Sequence, residues 1–166
     1  LIMRESGVTR EMGGDDMSLA VGIVDNIFIN ALETRTSDIH LQPEREQLRI
    51  RYRQDGRLYD TGQLPPEHAN NVIARLKLAS GMRIDEQREA QDGRIDMEFQ
   101  GKRLAARCSV VPCLNGEKMV LRILDPTAMK VELPKLGMPE DVLKKWERAI
   151  QVPYGLILVT GPTGSG

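Results

Sequence analysis

The sequence has 166 residues and a formal charge of −1, from 23 Lys and Arg against 24 Asp and Glu, and 40% of its residues are apolar. This composition is that of an ordinary globular protein and excludes a disordered or fibrous chain. The length suffices for one domain and part of another. No apolar run reaches the roughly 18 residues of a membrane-spanning helix, and the first residues lack the order of a signal peptide, so we expect a cytoplasmic protein.

The first two predicted elements are an arm and a helix. Residues 1–17 contain three glycines and show no apolar periodicity, so they are predicted to form a flexible arm or linker. From Ser18 onward apolar residues recur at every fourth position, which predicts a helix to about Thr34 with Asp16 or Ser18 as its N-cap.

Short extended stretches and a second helix follow. In residues 48–53 apolar residues alternate with arginines, so one face of the predicted strand is apolar and the other is cationic. The Asp-Gly pair at 55–56 predicts a hairpin turn. A helix is then predicted between the two prolines at 65–66 and Gly81.

The next segment is predicted to be an antiparallel meander. Residues 82–92 are nearly all polar and end in a turn signal, Asp92-Gly93. Because helices and strands do not alternate strictly, we predict an α+β domain over residues 18–126. The three alternating runs of the meander are 94–99, 103–111 and 117–124.

The pattern changes after residue 126. Pro139 begins a predicted helix, and the apolar run 156–160 has the length of a buried strand in a parallel sheet. Residues 127–166 are therefore predicted to be a linker and the beginning of a second domain. The run is followed by Gly161-Pro162-Thr163-Gly164-Ser165-Gly166.

A buried strand that leads into a glycine-rich loop is typical of P-loop proteins, whose backbone N–H groups bind phosphate. Gly161 and Gly166 have the spacing of the two glycines in G-x-x-x-x-G-K-[ST], but the Lys and the Ser or Thr of that motif are absent from this chain. The alternative is a flexible tail. The preceding apolar run favours a P-loop cut short, and a chain without that lysine is not expected to hydrolyse ATP by itself.

Motifs in a fixed order run through the chain from about residue 18. They are Ser37–Pro43, Arg75-Leu76-Lys77, Gln91–Arg94, Arg107-Cys108-Ser109, Gly116-Glu117-Lys118, Leu121–Leu124 and Gly155–Gly166. In this order they resemble the ATPases of type II secretion and type IV pilus assembly. Two departures are Gln87 and Ala90, which stand where that family usually has Arg and Pro.

The resemblance implies a domain assignment and a setting. Residues 18–126 would be the PAS-like second amino-terminal domain of such an ATPase, and 127–166 a linker and the first helix and strand of its RecA-like motor domain. The resemblance also implies a ring, usually a hexamer, that uses ATP and Mg²⁺ at the cytoplasmic face of the inner membrane. Its expected partners are other copies of itself and inner-membrane assembly proteins. The four-cysteine zinc module of many members is not visible in this sequence.

The resemblance also places catalytic arginines on the amino-terminal domain, where they would stabilise charge on the transferring phosphoryl group. By motif position the candidates are Arg94, Arg107 and, third, Arg88. Each has a structural alternative: a solvated turn residue for Arg94, an exposed sheet face for Arg107 and a surface ion pair for Arg88.

Other polar residues are assigned no chemistry. The cationic face of residues 48–53 invites a nucleic-acid partner, but only 4% of the chain is aromatic, which leaves little for base stacking, and we predict none. His40 and His68 stand 28 positions apart without a second ligand pair, so no metal is predicted. Cys108 and Cys113 are expected to be buried or neutral thiols.

Two functional hypotheses follow. The first is the amino-terminal portion of a secretion or pilus-assembly ATPase, which binds ATP between domains and supplies arginines to the nucleotide site. The second is a docking module that binds a membrane-anchored assembly partner without a catalytic contribution.

Overall fold

The computed structural model describes residues 2–4, 15–125 and 132–161, with side chains from residue 18 onward. It divides into two compact units, Leu1–Asp125 and Pro126–Gly166. No helix in these described ranges is long and apolar enough to cross a membrane. The assignment of the second unit to a motor domain stays a prediction.

The first unit is an α+β domain, as predicted, and its described strands form one antiparallel sheet. The sheet has seven strands in the order β1-β5-β6-β7-β2-β3-β4. Along the chain the elements are β1 (Ile2–Arg4), α1 (Asp15–Glu33), β2 (Asp38–Pro43), β3 (Leu48–Gln54), β4 (Arg57–Leu64), α2 (Pro66–Ala79), β5 (Gln91–Phe99), β6 (Lys102–Cys113) and β7 (Gly116–Leu124).

The hydrophobic core lies between the two helices and one face of the sheet. Alternate residues of β2, β3 and β5–β7 are buried together with the apolar stripes of α1 and α2. The buried Tyr52 hydroxyl of β3 donates to the Ile27 carbonyl oxygen of α1 at 2.7 Å, which ties helix to sheet. Burial raises the pKa of Tyr52 to about 12. Because successive side chains of a strand point to opposite faces, the other face of the sheet carries the polar residues of each strand.

Two tight turns fix the register of the neighbouring strands. Asp55 and Gly56 have φ of 49° and 78°, and Gln100 and Gly101 have φ of 50° and 74°. Positive φ at both central residues is the type I′ geometry that suits the right-handed twist of a hairpin. The predicted hairpin at 55–56 is confirmed, and Gln100-Gly101 joins β5 to β6 of the predicted meander in the same way.

Asp92-Gly93 does not form the predicted turn, because both residues lie within β5. A Cβ atom at position 93 would overlap the Ser80 carbonyl oxygen at the end of α2. That oxygen accepts a hydrogen bond from the Arg94 backbone N–H at 3.2 Å. Gly93 is thus required by a close approach of helix and strand, a tertiary contact that the turn statistics of Asp-Gly do not anticipate.

The prediction of an arm over residues 1–17 is wrong at both ends. Ile2–Arg4 forms β1, which pairs antiparallel with β5. Three residues are too few to show the alternation by which a strand is recognised in sequence. Helix α1 begins at Asp15, so the predicted N-caps Asp16 and Ser18 both lie inside it.

The second unit begins with a 3-10 turn, Leu133–Leu136, and continues with α3 (Glu140–Ile150), which confirms the predicted helix. The run 156–160 is not the predicted buried strand, since the structure assigns no strand there. Leu156, Leu158 and Val159 are 81%, 75% and 78% exposed. A strand needs a neighbour for its backbone hydrogen bonds, and none of the described strands pairs with this run.

Candidate anion-binding face of the sheet

Three arginines lie side by side across neighbouring strands on the polar face of the sheet. Arg94 of β5 is directly opposite Arg107 of β6, and Arg107 is directly opposite Arg122 of β7. All three are exposed. Directly opposite residues of antiparallel strands are about 4.5–5.5 Å apart at Cα and point to the same face. We call Arg94, Arg107 and Arg122 the arginine row.

The outer two members of the arginine row are held by carboxylates and the middle one is not. Arg94 Nε donates to Asp96 Oδ1 at 2.9 Å, and Arg122 Nε donates to Asp38 Oδ1 at 2.8 Å. Arg107 forms no hydrogen bond or ion pair with the described residues. Like charges directly opposite each other on a sheet are unfavourable, so an anion bound at Arg107 would relieve this repulsion.

Asp38 is the buried carboxylate beside the row. Asp38 is 4% exposed, and its carboxylate accepts hydrogen bonds from Arg122 and from the Ser37 hydroxyl, each at 2.8 Å. It also forms an ion pair with Arg53 Nε at 3.4 Å. Burial alone would raise the pKa of Asp38, but the hydrogen bonds from Arg122 and Ser37 and the positive charges of Arg122 and Arg53 outweigh it and hold the pKa below its usual value. Asp38 is therefore an ionised anchor for two guanidinium groups.

Arg88 lies outside the arginine row, in the loop that precedes β5. The expected surface ion pair of Arg88 is wrong, because within the described residues its side chain pairs with no carboxylate. Glu89 pairs instead with Arg83 at 3.0 Å, and the Glu86 carboxylate accepts the Arg88 backbone N–H at 2.6 Å. That hydrogen bond holds the pKa of Glu86 below its usual value.

The loop before β5 is anchored from inside the protein. The Lys77 ammonium, 1% exposed, donates to the Glu86 carbonyl oxygen at 2.6 Å and to Glu117 Oε1 at 2.7 Å. The Gln91 side chain receives the Arg83 backbone N–H at 2.9 Å and donates to the carbonyl oxygens of Arg83 and Glu86 at 3.1 and 3.0 Å. The backbone that carries Arg88 is thus fixed, whereas the Arg88 side chain forms no hydrogen bond or ion pair with the described residues.

The cationic face of β3 is largely occupied within the sheet itself. Arg49 forms a two-point contact with Asp60 at 2.8 and 2.9 Å and a further one with Glu44 at 3.2 Å. Arg51 donates to Gln42 at 2.7 Å, and Arg53 reaches Asp38. These arginines have intramolecular partners, whereas Arg107 has none within the described part of the chain.

A cleft of about 320 Å³ opens elsewhere, between α2, the β2–β3 loop and the β6–β7 hairpin. It is lined in part by Leu48, Ile73, Ile84 and the exposed Cys113. None of the candidate arginines lines it. The anion-binding candidate is therefore an open surface and not this cleft.

The remaining predicted site residues take no part in this face. Gly161 is exposed, while Pro162, Thr163, Gly164, Ser165 and Gly166 lie outside the described residues. No group of three or more potential metal ligands occurs in the described part of the chain. Of the two cysteines, Cys108 is buried, which raises its pKa to about 12, and Cys113 is exposed rather than buried.

Sequence reasoning missed Arg122 and Asp38 as members of this face. A signal for Arg122 was present in the two-residue loop at 114–115, which pairs Cys113 with Gly116. Counting six residues back along β6 and six forward along β7 then places Arg107 opposite Arg122. No comparable signal existed for Asp38, which reaches Arg122 through the pairing of β2 with β7.

The fold and this face define an α+β domain that presents cationic side chains, one of them without a counter-ion among the described residues, on an open antiparallel sheet. Comparison with known proteins then assigns the chain to a family. Residues 14–166 match the model of the family described as "Type II/IV secretion system protein", and the chain belongs to that family. The resemblance to secretion and pilus-assembly ATPases is confirmed.

Curated relatives share about two fifths of their aligned residues with this chain. The chain is 41% identical over 146 residues to type II secretion system protein E of Xanthomonas campestris, covering 88% of this chain and 26% of that protein. It is 41% identical over 152 residues to the type IV pilus assembly ATPase PilB of Myxococcus xanthus, covering 91% and 27%. The chain thus spans about a quarter of the length of these relatives.

Solved structures share the fold. The pilus retraction motor PilT with bound ADP matches with a TM-score of 0.53 and 30% identity, over 87% of this chain and 39% of that one. The Legionella pneumophila ATPase DotB matches with a TM-score of 0.53 at 19% identity, over 74% of this chain and 34% of that one, which shows the likeness of fold alone.

Proposed function

We propose that this chain is part of an ATP-hydrolysing motor that powers type II secretion or type IV pilus assembly, and that its first unit supplies Arg94 and Arg107 to the phosphates of ATP. The observation that carries the proposal is the register of these two arginines. They lie directly opposite each other on β5 and β6, both exposed, and Arg107 has no counter-ion among the described residues.

The chemistry supports this use of the pair. Charge spreads over the oxygens of a transferring phosphoryl group, and a guanidinium delivered to them is worth about 10³–10⁵ in rate. Guanidinium groups suit this task because they are always charged and offer several donors in one plane. Arg94 is oriented by Asp96. Arg107, which forms no ion pair with the described residues, can turn toward an incoming anion. Arg88 is a weaker candidate, since it stands apart from the pair.

The remaining parts of the nucleotide site, the oligomeric state and the cellular location belong to the same proposal and are inferred from membership of the family. The glycine-rich segment Gly161–Gly166 would contribute backbone N–H groups to the phosphates, and Mg²⁺ would accompany ATP and neutralise phosphate charge. The working form would be a ring, usually a hexamer, at the cytoplasmic face of the inner membrane, in contact with inner-membrane assembly proteins.

The test is steady-state ATP hydrolysis by the natural protein that contains these residues and a complete motor domain. Arg94→Ala and Arg107→Ala are compared with the parent at saturating ATP, and Arg57→Ala, an exposed arginine in β4 without a described partner, is the control. We expect kcat to fall about a thousandfold in either of the first two variants, with nucleotide binding measured separately, and to stay unchanged in the control.

The opposite result favours the docking module. If all three variants hydrolyse ATP at the parent rate, the arginines do not act on the nucleotide. The alternative function then predicts that the same substitutions weaken binding to an assembly partner. An equal loss of turnover in Arg57→Ala, Arg94→Ala and Arg107→Ala would contradict the proposal, because it would show that removing any exposed positive charge slows ATP hydrolysis.

A further inference from the structure

We infer that His40, Arg51 and Lys118 form a docking patch for the carboxylates of an acidic segment of a partner protein, beyond the phosphate contacts of the proposed function. We call these three residues the basic patch. His40 of β2 is directly opposite Arg51 of β3 and Val120 of β7, and Lys118 lies two residues before Val120 on β7. Directly opposite residues, and residues two apart on one strand, point to the same face of a sheet. The basic patch therefore lies on the polar face.

The nitrogen atoms of the basic patch lack acidic partners. All three residues are half-buried. Lys118 forms no hydrogen bond or ion pair with the described residues. Arg51 donates to the neutral Gln42 amide oxygen at 2.7 Å, while Arg51 Nε and His40 Nε2 are both buried without a hydrogen-bond partner among the described residues. Polar groups withdrawn from water are normally paired, so this cluster calls for an acceptor that the described residues do not provide.

The nearest carboxylates are already engaged elsewhere. Asp38 of β2 accepts a hydrogen bond from Arg122 at 2.8 Å. Asp60 of β4, directly opposite Arg51, is held by two hydrogen bonds from Arg49 at 2.8 and 2.9 Å. Positive charge at the basic patch is therefore not neutralised by these two carboxylates, and electrostatic complementarity favours an acidic partner.

His40 makes the charge of the basic patch depend on pH. Burial, and then the positive charge of Arg53, hold the pKa of His40 below its usual 6.5. Lys118 and Arg51 act in the same direction, and Asp38 opposes them. A carboxylate bound beside His40 would favour the protonated imidazole and so raise its pKa. By linkage, an acidic segment would bind more tightly as the pH falls through that pKa.

The recessed position of the basic patch suits an acidic side chain better than a free inorganic anion. A carboxylate at the end of a methylene stem can reach nitrogen atoms that lie below the surface. The stem would contact Val120, which is half-buried and directly opposite His40, as the apolar portions of long charged side chains commonly do. A free, strongly hydrated anion has no such apolar portion.

The first experiment measures binding of hexaglutamate, blocked at both ends, to the 166-residue chain by NMR titration, with hexaglutamine as the uncharged comparison. Lys118→Met removes one charge of the basic patch and breaks no ion pair of the described residues. We expect it to weaken hexaglutamate binding about fivefold or more, as the loss of one partly buried charge pair should. Lys102→Met removes the same charge from the exposed start of β6, so it is the matched control and should bind as the parent does.

The second experiment repeats the titration at about pH 8 and about pH 5.5, where glutamate carboxylates with a pKa of about 4.3 stay largely ionised. We expect hexaglutamate to bind about threefold or more tightly at the lower pH, and its binding to raise the pKa of His40 as followed by the ring proton resonances. His40→Gln should remove this pH dependence. Circular dichroism checks that His40→Gln is folded, and the His40 pKa of the parent with and without peptide tests the inference where it is not.

The outcomes are separate from those that test the proposed function, because none of them depends on ATP hydrolysis. Weaker binding in Lys118→Met, with a pH dependence carried by His40, supports docking of an acidic segment. Equal weakening in Lys102→Met, or equal affinity for hexaglutamate and hexaglutamine, overturns it. If inorganic triphosphate binds more tightly than hexaglutamate and loses that affinity in Lys118→Met, the basic patch is a phosphate site and the inference is also overturned.

Discussion

The buried ion pair between Lys77 and Glu117 allows a quantitative prediction about stability. Their side chains are 1% and 10% exposed, and the ammonium also donates to the Glu86 carbonyl oxygen. Lys77→Met keeps the side-chain length but leaves the Glu117 carboxylate in the interior without a cation. Removing one partner of a buried pair costs about 3–5 kcal/mol, so we expect Lys77→Met to lower the free energy of unfolding by this amount.

The same pair predicts strong coupling. Glu117→Gln leaves the Lys77 ammonium buried with a neutral partner and should also destabilise the first unit. In the double variant no buried charge remains, so its loss should be smaller than the sum of the single losses by about 1–3 kcal/mol. Arg83→Met is the control, since the Arg83–Glu89 pair is 62% and 68% exposed and such pairs contribute about 0–1 kcal/mol.

The assay is urea unfolding of the 166-residue chain followed by far-ultraviolet circular dichroism. The midpoint and slope give the free energy of unfolding for each variant. A loss below about 1 kcal/mol for Lys77→Met, comparable with that for Arg83→Met, would refute the reasoning. Additive losses in the double variant would show that Lys77 and Glu117 act separately.

Two further predictions concern a close contact and the half-buried His40. Gly93→Ala should lower the free energy of unfolding by about 1–3 kcal/mol or more in the same urea assay, because its methyl group would overlap the Ser80 carbonyl oxygen. Gly22→Ala has no atom near its added Cβ and should stabilise α1 by about 0.5–1 kcal/mol. Equal effects of the two substitutions would contradict this account. Burial first, and then the charge of Arg53, lower the pKa of His40 from 6.5 in the folded protein. The unfolded chain therefore binds this proton more readily than the folded protein does. The free energy of unfolding should decline as the pH falls below about 6.5 toward the pKa of the folded state. His40→Gln should flatten that decline, and an NMR titration that gives His40 a pKa above 6.5 would be the contrary result.

Much of the fold could be predicted from sequence because its signals are local. Alternation in residues 48–53 depends only on neighbouring residues, and so does the apolar stripe of α1. The run 156–160 shows the limit of such signals, since its composition predicts a buried strand while the described chain provides no strand to pair with it. Ile2–Arg4 shows the converse, because a short edge strand is defined by its partner β5 and not by its own residues.

The candidate site divides in the same way. The sequence by itself indicated Arg94 and Arg107, and it held an unused signal for Arg122, because tight loops at 100–101 and 114–115 set the pairing of β5, β6 and β7 over short stretches of chain. Only the tertiary structure decided what stands beside the row. Asp38 meets Arg122, 84 positions further along the chain, through the pairing of β2 with β7. No local backbone preference specifies such a partner, since it is selected by burial of the whole apolar sheet face.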